Sequence, residues 1–322
     1  MAKLRIVFMG TGDIALPSLR SLLDDREQAY ELVGLVTQPD KPVGRKQVLT
    51  APAIKELALS HDVAVMQPES AREASFLEAL RAMQPDVIVV MAYGQILPQA
   101  LLDIPSVACI NLHASLLPKY RGAACIQAAI DAGDSHTGIT VIHVVKALDA
   151  GDIILKVETP IGPNETGGKL HDRLADMAPD ALRQALNQLI NGDAKRIPQD
   201  PEQVSYISKL MREHGELDWS QPAEALERRI RAYDPWPGTS TNFIDAKGRK
   251  RRLKIFPQVE PCEQSGKPGQ VLSVDDVLTI ACGERALTIG SVQADGSRRM
   301  SAAEFLLGNT LKVGDLLGVR GQ

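Results

Sequence analysis

The sequence predicts an α/β protein: a Rossmann-like, mostly parallel sheet with helices on both faces, then a smaller OB-like β barrel. Three observations carry this. Through roughly the first 190 residues, short apolar runs alternate with segments of helical spacing, the pattern of a parallel sheet with crossover helices. Val87–Met91 is continuously apolar, as strands buried on both faces are, and Val107–Leu112 is a second such strand, apolar from Val107 to Ile110. Beyond residue 208 the chain breaks into brief β-type segments divided by Gly, Asp and Pro turns, which fits a small barrel.

Taken in order, Leu4–Met9 is an expected strand and Ala15–Leu23 an expected helix. Leu32–Thr37 is a second strand, followed by a polar loop from Gln38 to Thr50 and a helix over Pro52–His61. Val63–Met66 suits a short strand. Ser70-Ala71-Arg72-Glu73 has the capping-box pattern and opens a helix toward Met83. After the two buried runs come strands Ile139–Val145 and Ile153–Val157, joined by Lys146–Gly151. A helical stretch covers Leu170–Ile190, with Pro179 an expected break and Asn191-Gly192 the stop. Ala194–Ser208, with Pro198 and Pro201, is polar and suits a linker. The expected domains are therefore 1–193 and 209–322, with 194–208 between them. In the second, a helix over Ala223–Ala232 precedes strands Leu253–Phe256, Gln270–Val274, Val277–Ala281 and Leu287–Val292, with a short helix near Ser301–Leu307.

Composition narrows the class. At 322 residues the chain exceeds what one core usually fills, and 44% hydrophobic with 24% charged residues is ordinary for a globular protein. No apolar run approaches the roughly 18 residues needed to span a bilayer. The N-terminal apolar run is of strand length, too short for a signal-peptide core. Cys109, Cys125, Cys262 and Cys282 form no Cys-x-x-Cys pair, which argues against a zinc site, a redox dithiol or a disulfide framework. A reduced, cytoplasmic, metal-free protein is expected. Net charge is −4, yet residues 209–322 hold 17 basic against 15 acidic side chains, and Lys247–Lys254 carries six positives and no acid. Such a strip can be a solvated edge-strand face; six positives on one small β domain fit phosphate-backbone contact better.

The chemistry-bearing residues are Asn111, His113 and Asp149. The first two lie two apart past an apolar run, so on an extended chain they share a face. A neutral amide and a titratable imidazole suit a carbonyl that briefly carries negative charge, and an acid such as Asp149 can fix the imidazole or take a proton. There is no Gly-x-Ser-x-Gly turn, so the pattern points to acyl transfer by direct attack of the incoming substrate. Gly10-x-Gly12-x-x-Ala15 after the first strand also matches a dinucleotide fingerprint. Asp13 would set a carboxylate near a pyrophosphate, and Glu31 precedes the second strand, so a tight strand-to-helix turn is the better reading.

Longer motifs carry a family resemblance. Thr37-Gln38-Pro39-Asp40-Lys41-Pro42-x-Gly44-Arg45, Ala92-Tyr93-Gly94, Asn111-x-His113-x-Ser115-Leu116-Leu117-Pro118-x-Tyr120-Arg121-Gly122-Ala123-Ala124, Leu148-Asp149-x-Gly151-Asp152 and Asp234-Pro235-Trp236-Pro237 closely resemble, in order, the methionyl-tRNA formyltransferases. The resemblance spans essentially the whole chain. It implies a Rossmann-like formyltransferase domain, an OB-like tRNA-binding domain, and transfer of the formyl group of 10-formyltetrahydrofolate to methionyl initiator tRNA, by a monomer. It implies Asn111, His113 and Asp149 as the catalytic set. Ser115, Leu116, Leu117 and Pro118, with Met91, Ala92, Tyr93, Gly94, Ile96 and Leu97, would line the folate site. Arg45 and Lys46 in the polar loop and Arg249, Lys250, Arg251 and Arg252 in the basic strip would meet tRNA. Two departures stand out: Cys125 occupies a place where the family usually has Pro, and Arg45-Lys46-Gln47-Val48-Leu49 lacks the family's lysine pair. Another folate-dependent formyltransferase, acting on glycinamide ribonucleotide or a sugar nucleotide, is the alternative. The glycinamide ribonucleotide enzymes resemble only the first 200 or so residues.

Overall fold

The computed structural model describes residues 3–24, 29–44, 46–309 and 311–318. Their contacts divide the chain into two units, one of residues 1–125, 136–160 and 171–207, the other of 126–135, 161–170 and 208–322. The chain runs β1 (Leu4–Gly10), α1 (Leu16–Leu23), β2 (Tyr30–Val36), β3 (Lys41–Val43), β4 (Val48–Thr50), α2 (Ala53–Leu59), β5 (Val65–Met66) and α3 (Ala74–Ala82). It continues through β6 (Val87–Met91), α4 (Gln99–Leu102), β7 (Ala108–His113), β8 (Arg121–Gly122), α5 (Cys125–Ala132), β9 (His136–His143), β10 (Ile153–Pro160), α6 (Gly167–Asn191) and β11 (Tyr206–Ile207).

The first unit is organised by a seven-stranded sheet in the order β10-β9-β7-β6-β1-β2-β5. The ladders among β5, β2, β1, β6 and β7 are parallel; β9 and β10 add antiparallel pairs at one side. Ile6, Val7, Phe8 and Met9 of β1 are all fully buried, as a central strand covered on both faces requires. One of those faces packs Val7, Met9, Ile88 and Val90 against Phe76, Leu80, Tyr93 and Leu101. From β1 the chain proceeds one way to β2 and β5, and the other way to β6 and β7. That reversal opens a crevice at the carboxyl ends of β1 and β6, where ligands of such sheets gather. Gly10 closes β1 there because a Cβ would lie 2.8 Å from the Phe8 ring and 2.9 Å from the Met91 carbonyl oxygen, which supports the tight-turn reading.

Some elements differ from the expectation, each for a local reason. The Ser70–Glu73 box closes a turn ahead of the helix: the Glu73 carboxylate accepts from the Ser70 amide, the Ser70 hydroxyl accepts from Arg72, and α3 starts only at Ala74. Pro179 does not break α6. A buried stripe of Leu170, Leu174, Ala178, Leu182 and Leu186 holds the helix through a residue that costs about 3 kcal/mol in a helix interior. The polar loop is in part an exposed hairpin, β3 against β4. Segment 194–207 runs along the first unit, where Ile197 and Ile153 exchange both backbone hydrogen bonds (2.8 and 3.1 Å) and β11 pairs in parallel with β8.

The second unit contains α7 (Ala223–Ala232), β12 (Thr239–Ile244), β13 (Lys250–Ile255), β14 (Val259–Cys262), β15 (Val271–Val274), β16 (Leu278–Ala281), β17 (Ala286–Ile289), β18 (Ser291–Ala294), β19 (Met300–Ser301) and α8 (Ala302–Gly308). It forms two four-stranded antiparallel sheets, β12-β13-β18-β19 and β14-β17-β16-β15. The run read as one strand, Leu287–Val292, is two: it changes sheets at Gly290, whose amide donates to the Gln258 carbonyl and whose carbonyl accepts from Ala302 (both 2.9 Å). The unpredicted strand β12 is rich in hydroxyls, which conceals a buried strand. Thr241 takes the Trp219 indole N–H at 2.9 Å and Thr239 donates to the Ile255 carbonyl at 2.9 Å, so both are satisfied inside.

Leu226, Ile230, Phe243, Leu253, Ile255, Leu278, Ile280, Leu287 and Phe305 form the shared core of this unit. Phe305, fully buried on α8, meets Phe243 edge to face with ring centroids 5.6 Å apart. Truncating it to Ala should therefore cost about 3–5 kcal/mol, read as a lowered denaturant midpoint; a loss under about 1 kcal/mol would show that α8 contributes little to this core.

Candidate active site

Asn111 and His113 close β7 on one face of the sheet, and register places them opposite Ile142 and Thr140 of β9. His143, the last residue of β9, pairs with Ile110, so the chain leaves the sheet level with the middle of β7 and must fold back to reach them. The turn after β9 does this. Asp149 takes a left-handed backbone conformation (φ 49°), and at Gly151 a Cβ would fall on the His143 carbonyl oxygen, so only Gly fits. The three predicted side chains then converge. The Asp149 carboxylate accepts from the Gly122 amide at 2.8 Å, lies 3.7 Å from His113 Nδ1, and stands 3.5 Å from Asn111 Nδ2.

His113 is almost wholly enclosed, and its Nε2 is 2.8 Å from the Tyr120 carbonyl oxygen. Burial alone would drive it toward the neutral form. The sulfur of Cys125, the Asp149 carboxylate and the Tyr120 carbonyl outweigh that and push its pKa up to about 9. Facing a carbonyl, Nε2 carries a hydrogen and donates to Tyr120, while Nδ1 is turned toward Asp149. Cys125, the first residue of α5, adjoins this imidazole.

The turn after β7 is cross-braced. Thr140 donates to the Ser115 carbonyl at 2.6 Å and accepts from the Leu117 amide at 3.1 Å; the Ser115 hydroxyl donates to the Lys119 carbonyl at 2.6 Å and accepts from the Tyr120 amide at 3.1 Å. Ser115, Leu117 and Pro118 are buried, and Leu117 packs with Ile142 and Ile153, so they shape the turn. Leu116 is half-buried and lies over Gly138. After β6, Met91 is buried, and the side chains of Tyr93 and Leu97 point into the core. Ala92, Gly94 and Ile96 are exposed, Ile96 at 67%, and present the accessible surface.

Arg45 lies outside the described residues, while Lys46 is exposed in the β3–β4 turn. The basic strip divides by strand parity. Arg251 lies on the side of Leu253 and Ile255, with Nη1 3.9 Å from Asp245 and Nη2 donating to the Asp295 carbonyl at 2.8 Å. Arg249 pairs with Asp245 at 2.9 Å; the Arg249 amide first, then its guanidinium and the Lys247 amide, hold that carboxyl below its usual range. Lys250, Arg252 and Lys254 share the opposite face, where Arg252 donates to the Ser240 hydroxyl at 2.8 Å.

The sequence reading missed the groups that hold the turn. Gln199 Nε2 donates to the carbonyls of Asp149 (2.7 Å) and Gly151 (2.8 Å), and its Oε1 accepts from Arg121 Nε (3.1 Å) and Nη2 (2.9 Å). Arg121 Nη1 donates to the Tyr206 hydroxyl at 3.0 Å. Residues 121 and 149 were inside the recognised motifs; Gln199 lay in a polar segment with no pattern to mark it.

Family profiles described as "Formyl transferase" and "Formyl transferase, C-terminal domain" match residues 4–186 and 209–310. A methionyl-tRNA formyltransferase of Akkermansia muciniphila is 53% identical over 95% of this chain and 97% of its own. The chain belongs to the methionyl-tRNA formyltransferase family. Another member, from Pseudomonas putida, is 45% identical over 94% of this chain and 95% of its own. A sugar 3N-formyl transferase, WlaRD, solved in the presence of dTDP and 5-N-formyl-THF, shares the fold at a TM-score of 0.66 and 16% identity, over 92% of this chain and all of that one. Among the described residues no helix is long and apolar enough to cross a membrane, and no three His, Cys, Asp or Glu side chains are placed to hold a metal ion.

The charge state of the imidazole is directly measurable. His113 should titrate by NMR near pH 9, and Cys125→Ala, which removes one of the groups raising it, should lower that value. Because its folded pKa lies above the ordinary 6.5, the stability it contributes is complete below about pH 6.5 and lost as pH rises through about 9. A titration near 6.5 in the folded protein would refute the assigned charge.

Proposed function

We propose that this chain transfers the formyl group of 10-formyltetrahydrofolate to the α-amine of methionyl initiator tRNA, with Asn111, His113 and Asp149 as the catalytic set. The convergence of the three side chains, around the buried His113, carries the chemistry. The acceptor rests on the family, whose members match this chain over nearly its full length. The donor is set against Ala92, Gly94, Ile96 and Leu116, the accessible parts of the two turns. The protein acts in the cytoplasm as a monomer.

The amine nitrogen attacks the formyl carbon, and the carbonyl π electrons move onto oxygen. Asn111 Nδ2 is the direct donor to that oxyanion, since its bond to Asp149 is long at 3.5 Å and readily exchanged. His113 already has partners at Tyr120 and Asp149, so it works chiefly through its positive charge, held in a water-poor site where such charges act strongly. The intermediate collapses as the bond from carbon to N10 breaks. The amine must lose a proton and N10 must gain one; Asp149 orients His113 and passes that proton between them.

Asn111→Ala should lower kcat by about 10²–10³ with unfolding temperature unchanged, measured as formyl incorporation into methionyl initiator tRNA; wild-type turnover would overturn the assignment. Given the same donor, the wild-type protein should formylate methionyl initiator tRNA and leave glycinamide ribonucleotide unmodified; the reverse would replace the acceptor.

The outward face of Lys250, Arg252 and Lys254 serves the tRNA phosphates. Replacing all three with Ala should weaken tRNA binding and lower the slope of log K against log salt by about 2–3. An unchanged slope would return the strip to an ordinary solvated strand face.

A further inference from the structure

We infer that Gln199, held by Arg121, is a positioning residue that sets the Asp149 turn and thereby how close its carboxylate lies to His113. This rests on the catalytic role proposed for Asp149. The amide of Gln199 uses its whole hydrogen-bonding capacity: both N–H groups go to the carbonyls of residues 149 and 151, and its oxygen takes two donors from one guanidinium. That pattern fixes which end of the amide faces the turn. The two carbonyls it grips flank the tightest part of the connection, between a non-glycine residue at φ 49° and a glycine whose Cβ would strike a neighbouring carbonyl. A left-handed aspartate persists only where its surroundings over-determine it.

The clamp also acts on the carboxylate. Arg121 supplies the guanidinium that orients Gln199, and the next residue, Gly122, donates its amide to Asp149 Oδ2 at 2.8 Å. Two adjacent residues of β8 thus fix both ends of Asp149, its side chain directly and its main chain through Gln199. β8 is in turn tied to β11, and the Tyr206 hydroxyl of β11 holds Arg121 Nη1. Gln199 itself is anchored two residues earlier by the Ile197–Ile153 rung at the start of β10. These contacts explain why a polar, proline-containing segment is ordered beside the site. Its task is to hold the connection between β9 and β10 folded back over β7. An outward shift of Asp149 by even about 1 Å would misplace its charge from His113, an error that can cost about 10²-fold in rate.

Gln199→Glu tests this, because the carboxylate still accepts from Arg121 but can no longer donate to the turn. Expected, well below the unfolding temperature of the variant, are a kcat about 10–100-fold lower and a KM for donor and acceptor changed less than about threefold. Wild-type kcat would overturn the inference, as would a loss of activity that appears only as the variant unfolds. Asp149→Asn in parallel separates the two readings. If it retains wild-type kcat, the proposed role of Asp149 has failed. If it is strongly impaired while Gln199→Glu is normal, only the role of Gln199 has failed.

Discussion

The first unit is arranged around one constraint: a carboxylate, a titratable imidazole and an amide must be kept within reach of each other at the edge of bulk water. Each is costly to bury alone. The buried imidazole of His113 is faced by Asp149, Cys125 and the Tyr120 carbonyl, and the half-buried Asp149 carboxylate by the Gly122 amide and His113. The sheet supplies two members of the set from one strand. The third arrives on a connection that has to reverse direction, and the backbone around it is shaped for that reversal.

The same requirement explains features that look unrelated. Thr140, across from His113 in β9, is fully buried because its hydroxyl bridges Ser115 and Leu117 in the turn that follows β7. Gly138, further along β9, is bare so that Leu116 and the β10 backbone can approach. Strand β9 therefore serves both turns: its middle braces one, and its end launches the other.

Much of the parallel sheet was legible because buried strands are written as unbroken apolar runs, as in Val87–Met91. Asn111, His113 and Asp149 were legible through the longer motifs around them, since their spacing alone also fits an ordinary strand end and turn. What escaped was information held in pairings. Strand β12 hides its burial in threonines whose hydroxyls find partners only after folding, and Leu287–Val292 reads as one strand because a glycine bend between two sheets leaves no mark on hydrophobic periodicity. Helix α6 runs past Pro179 because packing along its length outweighs one local penalty. Tyr93 and Leu97 sit in a motif that suggests ligand contact, yet their side chains fill the core, leaving main chain and smaller neighbours at the surface. Gln199 was invisible because a glutamine in a polar stretch has no signature until its three partner residues surround it.

The pairing of Ile153 with Ile197 has a practical corollary. Strand β10 is the outermost of the seven, and such strands tend to recruit foreign chains when left bare. Residues just past α6 occupy part of that rim. A fragment severed at residue 193 would uncover it, inviting self-association while discarding the amide that steadies the aspartate. A self-sufficient catalytic piece would have to retain the chain through Ile207, where β11 finishes its ladder with β8.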